Sequence, residues 1–136
     1  VMDYITIAST GNATDFGNLE AILVGATGVS NNTRGVVGAG WRANGAYTNV
    51  MQYVTIASTG NTTDFGDLNN VYGYGGGAAA DPTRGLFAGG AGDGGSINVI
   101  DFITIASTGN ATDFGDLSAA KSQLFSGMVG SGHGGL

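Results

Sequence analysis

A stretch of seventeen residues occurs three times in this chain with almost no change, and it constrains the fold more than any other feature. The copies begin at Asp3, Gln52 and Asp101, so the period is 49 residues. A chain needs a catalytic motif once, whereas a structural unit that packs against its own neighbours is needed several times. The repetition therefore indicates a repeat architecture. The three copies read DYITIASTGNATDFGNL, QYVTIASTGNTTDFGDL and DFITIASTGNATDFGDL.

The period divides the 136 residues into a single repeat domain of three units, 1–49, 50–98 and an incomplete 99–136. Shorter landmarks follow the same spacing. The tripeptide Thr-Arg-Gly begins at Thr33 in the first unit and at Thr83 in the second. In the third unit His133 stands at the position of the arginine. We therefore expect one architecture repeated along the chain.

Each unit contains short apolar segments with the two-residue period of a β-strand. In the third unit Ile103 and Ile105 are on one face of such a segment, and Phe102 and Thr104 are on the other. A sustained helical period occurs nowhere in the sequence. The segments with strand character are 21–28 and 124–131, 35–40 and 85–90, 98–107, and 111–117.

The turns between these segments favour antiparallel pairing. Asn44-Gly45 and Asp93-Gly94 are strong hairpin signals, because a tight turn there needs a positive φ. The chain also has 27 glycines and one proline, which supplies many more turn positions. Four antiparallel strands in 49 residues are typical of one blade of a β-propeller. The sequence therefore predicts an all-β fold of four-stranded antiparallel blades.

The order of these segments resembles the kelch repeat. GLFAGG, with its double glycine, is followed by a turn, then NVIDF, and then DFGDL. More narrowly, IDFITIASTGNATDFGDL beside TRGLFAGG is similar to kelch-like repeats of bacteriophage tail-fibre and virion-surface proteins. Phe16, Phe65 and Phe114 replace the kelch tryptophan, and GVVGAG lacks the double glycine. The resemblance implies a kelch-like β-propeller at a virion surface or in an extracellular location.

Three units are too few for a closed propeller, since propellers use about four to eight blades. The chain starts at the third strand of a unit and stops at the beginning of a second strand. Two explanations fit these start and end positions within the repeat. Either the chain belongs to a longer array, or the C-terminal strands of one chain complete the N-terminal blade of another. We favour the second and expect an obligate homo-oligomer, with two chains forming six blades, because closure removes free strand edges.

Composition narrows the range of partners and of chemistry. The formal net charge is -6, and there is no basic stripe that could bind a phosphate backbone, so nucleic acid is not expected as a partner. No apolar run approaches the roughly 18 residues of a membrane span, and insertion into a bilayer is not expected. The absence of cysteine excludes disulfides and thiolate metal sites.

Repeated carboxylates are the main candidates for a metal site. Asp113 and Asp116, with Asp64 and Asp67 in the second copy, could bind calcium through their oxygen atoms. The first copy has Asn18 at the second of these positions. We favour a structural role, in which the first aspartate of each copy accepts hydrogen bonds from backbone amides in its turn. No metal and no cofactor are therefore expected.

Catalytic motifs are not supported by their surroundings. His133 is the only histidine, and the repeated serines Ser9, Ser58 and Ser107 have no histidine that repeats with them. The segments 90–95 and 130–135 fit GxGxxG, but neither precedes a helix pattern, so they are interpreted as turns. We expect no enzyme activity; a polysaccharide hydrolase is the weakest alternative.

The segments that differ between units are the candidates for ligand binding. They contain Trp41, Tyr47, Tyr72 and Tyr74, and aromatic side chains on loops stack on sugar rings or anchor protein contacts. The favoured function is a non-enzymatic structural or adhesive module that mediates assembly or host attachment. Possible partners besides its own copies are cell-surface glycans and other virion proteins. The alternative is a lectin-like carbohydrate-binding propeller that uses these four aromatics.

Apolar residues shared by the copies should form the core of the blades, because every unit must present the same surface to its neighbours. These residues are Ile5, Ile7, Phe16, Leu19, Val54, Ile56, Phe65, Leu68, Ile103, Ile105, Phe114 and Leu117.

Overall fold

The computed structural model describes residues 1–71, 76–122 and 128, and all regular secondary structure among them is β-strand. This confirms the all-β prediction. The thirteen strands are β1 (Met2–Tyr4), β2 (Thr14–Gly17), β3 (Leu23–Val24), β4 (Thr27–Ser30), β5 (Arg34–Gly38), β6 (Trp41–Arg42), β7 (Val50–Thr55), β8 (Thr63–Asp67), β9 (Gly77–Ala80), β10 (Arg84–Ala88), β11 (Ala91–Gly92), β12 (Gly95–Thr104) and β13 (Thr112–Lys121).

Two four-stranded antiparallel sheets repeat the same strand order. Sheet A consists of β4-β5-β7-β8, and sheet B consists of β9-β10-β12-β13, with β11 added at the end of β12. The hairpin β1-β2 is the first-unit equivalent of β7-β8 and β12-β13. The prediction of antiparallel sheets is therefore confirmed, and each of these two sheets contains four longer antiparallel strands; β3, β6 and β11 are additional short strands that the sequence did not predict as separate elements. The described residues do not form a closed ring.

One predicted strand is divided in the structure. The segment 21–28 was expected to be a single strand, but β3 ends at Val24 and β4 begins at Thr27. Gly25 between them has a φ of 70°, which turns the chain out of the extended conformation. As a result β3 pairs with β6 in a separate two-stranded sheet, while β4 joins sheet A.

The DFG tripeptide is a bulge in all three copies. Its glycines, Gly17, Gly66 and Gly115, have φ values of 149°, 135° and 139°. The register of each hairpin shifts near the same point, as between Met51 and Gln52 of β7. A residue with this φ next to a register shift bends the strand locally. The recurrence of DFG therefore has a conformational cause.

The core lies between sheets A and B. Val29 of β4 packs against Gly85 of β10 so closely that a Cβ on that glycine would lie 2.5 Å from Val29 Cγ2. The same added atom would be 3.3 Å from Cγ1 of Ile103 on β12. The sheets thus approach face to face with no room for one more methyl group. The buried apolar residues are Val29, Val36, Ala39, Met51, Phe65, Leu68, Phe87, Ala88, Ile103, Ile105 and Ala111.

Residues at equivalent positions differ widely in exposure. Ile7 is 95% exposed and Ile105 is fully buried, although both occupy the same position of the repeat. On the opposite face Phe65 is 2% exposed, whereas Phe114 is 54% exposed. The expectation that all copies lie in the core is therefore correct for Phe65, Leu68, Ile103 and Ile105 and wrong for the exposed Ile5, Ile7, Ile56 and Phe114. The remaining four, Phe16, Leu19, Val54 and Leu117, are half-buried. Each unit buries its apolar faces against neighbouring units, so residues without a described neighbour on that side stay exposed.

Candidate functional site: the junction between repeats

The contact between successive units is made by the STGN turn of one copy and the DFG strand of the copy before it. The amide of Gly60 donates a hydrogen bond to the carbonyl oxygen of Phe16 at 2.7 Å. The amide of Thr62 donates to the carbonyl oxygen of Asn18 at 3.0 Å. The amide of Asn18 in turn donates to Oδ1 of Asn61 at 3.0 Å. These three hydrogen bonds connect the DFG strand of the first copy to the STGN turn of the second copy.

The junction between the second and third units has the same geometry. Gly109 N donates to the carbonyl oxygen of Phe65 at 2.7 Å, and Ala111 N donates to that of Asp67 at 2.8 Å. Asp67 N donates to Oδ1 of Asn110 at 3.0 Å. The Gly-Asn pair of the STGN turn is therefore a repeated connector. Sequence reasoning assigned this pair only to a turn, although its identity in all three copies was a signal of a further role.

The glycine of DFG also allows the next turn to approach closely. A Cβ added to Gly17 would overlap the carbonyl oxygen of Gly60, and a Cβ added to Gly66 would overlap that of Gly109. At Gly115 an added Cβ meets nothing within 4 Å. The third copy thus has the same open space above its DFG strand, but no turn occupies it among the described residues.

Arg34 makes a further contact between the two sheets. Its Nη1 donates at 3.0 Å to the carbonyl oxygen of Ile105, which follows β12 of sheet B. Its guanidinium lies 4.3 Å from the centre of the Tyr53 ring, within the range of a cation–π contact. Arg84 occupies the equivalent position, 4.9 Å from the centre of the Phe102 ring, and is exposed.

Two buried polar side chains at equivalent positions hold the chain where it passes from one unit to the next. Oε1 of Gln52 accepts hydrogen bonds from Glu20 N at 2.7 Å and from Thr62 Oγ1 at 2.6 Å. The carboxylate of Asp101, which is fully buried, accepts from Asn69 N at 3.1 Å and from Asn69 Nδ2 at 2.6 Å. Buried polar groups of this kind fix one geometry, because an unpaired alternative is costly.

The face that precedes sheet A is incomplete in the described residues. A cavity of about 240 Å³ is lined by Gly35, Val54 and other residues of β4, β5 and β7. Gly35 and Val54 are the counterparts of Gly85 and Ile103, which Val29 covers at the junction of sheets A and B. A Cβ on Gly35 would meet only Cγ2 of Val54, at 3.6 Å. Among the described residues, no side chain approaches the Cβ position of Gly35 as Val29 approaches that of Gly85.

One of the repeated aspartates, Asp113, accepts the backbone hydrogen bond that the sequence predicts for it. Oδ1 of Asp113 accepts a hydrogen bond from the amide of Gly115 at 3.1 Å. Among residues 1–71, 76–122 and 128, no three side chains of His, Cys, Asp or Glu come together as metal ligands would.

A separate aspartate stabilises the turn before β10. The backbone amides of Arg84 and Thr83 donate to Oδ1 of Asp81 at 2.7 and 2.6 Å, and they hold the pKa of that carboxyl below its usual value. The equivalent residue of the preceding unit, Asn31, makes the same pair of bonds. An acceptor oxygen is what this turn needs, and a negative charge is not essential.

Two of the four aromatics expected to bind a ligand lie next to each other. Trp41 and Tyr47 form a β-bridge, and Trp41 is 37% exposed. Trp41 also pairs with Val24 across the small sheet β3-β6, and exposed Ile22 lies just before that strand. This produces a partly exposed apolar patch on the hairpin that carries Asn44-Gly45. Tyr72, Tyr74 and His133 lie outside the described residues, as does the predicted strand 124–131 apart from Met128.

Comparison of the chain with known protein families and with curated proteins finds no match. In the described part of the chain there is no helix of the length and apolar character that a membrane span requires.

Proposed function

We propose that the chain is a non-enzymatic structural or adhesive module built from kelch-like propeller blades. The observation that supports this best is the same set of three hydrogen bonds at two successive junctions, 1 to 2 and 2 to 3. A junction that repeats without change stacks units at one fixed angle, which is the requirement for a ring of blades. The geometry serves rigid assembly, and the described residues group no set of catalytic side chains beside it.

The proposed ring is completed by units outside this chain. In such a ring sheets A and B would be two full blades, and the hairpin β1-β2 would be half of another. Two chains would supply six blades, within the range that propellers use. A longer array of the same units is the alternative source. The likeness of the repeats to those of phage tail-fibre and virion-surface proteins favours a place on a virion surface, where such a module would support assembly or host attachment.

The native mass tests this proposal. We expect the purified chain to have twice its monomer mass of 13.4 kDa in native mass spectrometry and in light scattering at micromolar concentration. A crystal structure of that species should have six blades in a closed ring. A stable monomer that unfolds in one cooperative transition would contradict the proposed oligomer.

Carbohydrate binding is the second candidate, and the exposed Trp41 beside the half-buried Tyr47 supports it. Aromatic faces stack on sugar rings, and a short hairpin presents them away from the sheets. We expect a glycan array to give a consistent hit that Trp41→Ala weakens by about tenfold or more, the equivalent of about 1.4 kcal/mol. The control is Val71→Ala, which removes another exposed apolar side chain outside the patch. No hit, or a hit that both variants weaken equally, would reject the lectin.

A further inference from the structure

We propose that the DFGD segment of β13 docks the Gly11–Ala13 turn of a second copy of this chain. The inference rests on the proposed function, in which units stack through one repeated junction, and it names the atoms of the contact between copies. The docking surface is the outer edge of β13 at residues 114–116. Its occupant is the STGN turn of the partner's first unit.

The first argument is that the internal junctions show what this edge binds. The carbonyl oxygens of Phe16 and Phe65 both accept a hydrogen bond from the glycine amide of the following STGN turn, at 2.7 Å in each case. Phe114 is the third member of the series, and among the described residues its carbonyl oxygen has no such partner from another unit. The glycine that fits the pattern is Gly11, whose copy of the turn meets no DFG strand among the described residues.

The second argument is the side-chain bond that accompanies the main-chain bonds. Asn61 and Asn110 each accept from the amide two residues beyond the DFG phenylalanine, at 3.0 Å in both junctions. Applied to the third strand, this pattern directs the amide of Asp116 to Oδ1 of Asn12. Asn12 and its neighbours Gly11 and Ala13 are exposed in the single chain. Both halves of a third junction are therefore present on one molecule, at opposite ends.

The third argument is the unfilled space beside β13. At Gly17 and Gly66 the equivalent space is filled by the carbonyl of the next turn, so closely that no Cβ fits. Gly115 has a similar φ of 139°, and a Cβ there would meet nothing within 4 Å. The exposed ring of Phe114 lies beside this space, whereas Phe65 at the filled junction is buried. The DFG strand of β13 thus has the same backbone shape as those at the two internal junctions, but the space for the next turn is empty among the described residues.

Arg84 supplies a second contact between the same two copies of the chain. Its counterpart Arg34, on sheet A, donates to the carbonyl oxygen of Ile105 at the end of β12 in the following sheet, B. The residue equivalent to Ile105 in the partner's first unit is Ile7, which is almost completely exposed in the single chain. A second copy placed by the junction bonds would bring the Ile7 carbonyl to Arg84. The contact joins different surfaces of identical chains, so it closes into a ring or continues as a filament, depending on the angle.

Disulfide formation between copies tests the contact directly, because the chain has no cysteine of its own. One chain carries Asn12→Cys and another carries Asp116→Cys, and the two are mixed and oxidised. We expect a disulfide-linked dimer in non-reducing electrophoresis for the mixture, and little or none for either variant alone. The positive control is Asp67→Cys with Asn110→Cys in one chain, where the equivalent residues are already in contact. The negative control pairs Asn44→Cys with Asp116→Cys on separate chains.

A second measurement uses an added methyl group. Gly115→Ala should place a Cβ where the partner's Gly11 carbonyl would lie, and we expect it to raise the dissociation constant of the oligomer by at least about tenfold. The matched control is Gly95→Ala, since Gly95 also has a positive φ, of 105°, and nothing within 4 Å. Far-UV circular dichroism of both variants should retain the β-sheet spectrum of the parent chain.

The outcomes separate this inference from the proposed function. If the positive control forms its disulfide and the mixed chains form none, the inference is overturned. This holds even if the native mass shows an oligomer, because other contacts would then hold it together. Equal dissociation constants for Gly115→Ala and Gly95→Ala would also overturn it. A linked dimer that continues into open filaments would support the docking contact and contradict the closed six-bladed ring.

Discussion

Gly66→Ala is expected to lower the free energy of unfolding by about 2–6 kcal/mol, the largest effect we predict for a single methyl group. Two costs add. A residue with a Cβ is strained at the φ of 135° by about 1–3 kcal/mol. The Cβ also overlaps the carbonyl oxygen of Gly109 and lies 2.9 Å from the amide nitrogen of Asn110, and such overpacking costs about 1–3 kcal/mol.

Urea unfolding followed by circular dichroism measures this effect. Gly115→Ala is the matched control, because it has the same DFG sequence and a similar φ, but no turn above it within the chain. At concentrations where the chain is monomeric, this control should show only the strain, about 1–3 kcal/mol. Equal losses in the two variants would mean that the turn of the third unit does not press on Gly66, and the described junction would be wrong.

Phe65→Ala is expected to cost about 3–5 kcal/mol, the usual range for removing a buried phenylalanine. Phe65 lies in the core between successive units, and its ring meets that of Tyr53 edge-on with centroids 6.0 Å apart. The substitution would remove this pair and leave a cavity at the junction. Thermal and urea unfolding at several protein concentrations would give the loss of stability.

Phe114→Ala is the control for this prediction. Phe114 has an equivalent edge-on partner, Phe102, with centroids 6.2 Å apart, but its ring is more than half exposed. We expect a loss below about 1 kcal/mol for the monomeric chain, since little apolar area returns to water. A loss as large as that of Phe65→Ala would show that Phe114 is covered within one chain. The stacking order of the units would then need revision.

The local structure could be predicted from the sequence with few errors. The two-residue alternation around Ile103 and Ile105 predicted β12, and the side chains of Ile103 in this strand and of Ile105 just after it are both buried. Strand order and antiparallel pairing followed from the turn residues between the segments. The error at 21–28 came from Gly25, because one glycine inside an apolar run can either continue a strand or end it. Neighbouring residues do not decide between the two.

The candidate site was predicted less well. Trp41 and Tyr47 were chosen because they are aromatic and lie in variable loops, and the structure does bring them together. The junction itself was not predicted, although its Gly-Asn pair, Gly60-Asn61 in the second copy, is present in all three copies. Their partners, Phe16 and Asn18, are more than forty residues away in sequence, and a pattern of residues contains no distance between such segments.

The sequence by itself determined the period, the β-strands and the turns, because side-chain alternation and positive φ are properties of a few adjacent residues. It could not determine which copy of a residue is buried. Phe65 and Phe114 have the same neighbours in the chain, DFGD in both cases, and yet one is buried and the other is exposed. Only the tertiary structure decided this, since burial depends on whether another unit packs against that face.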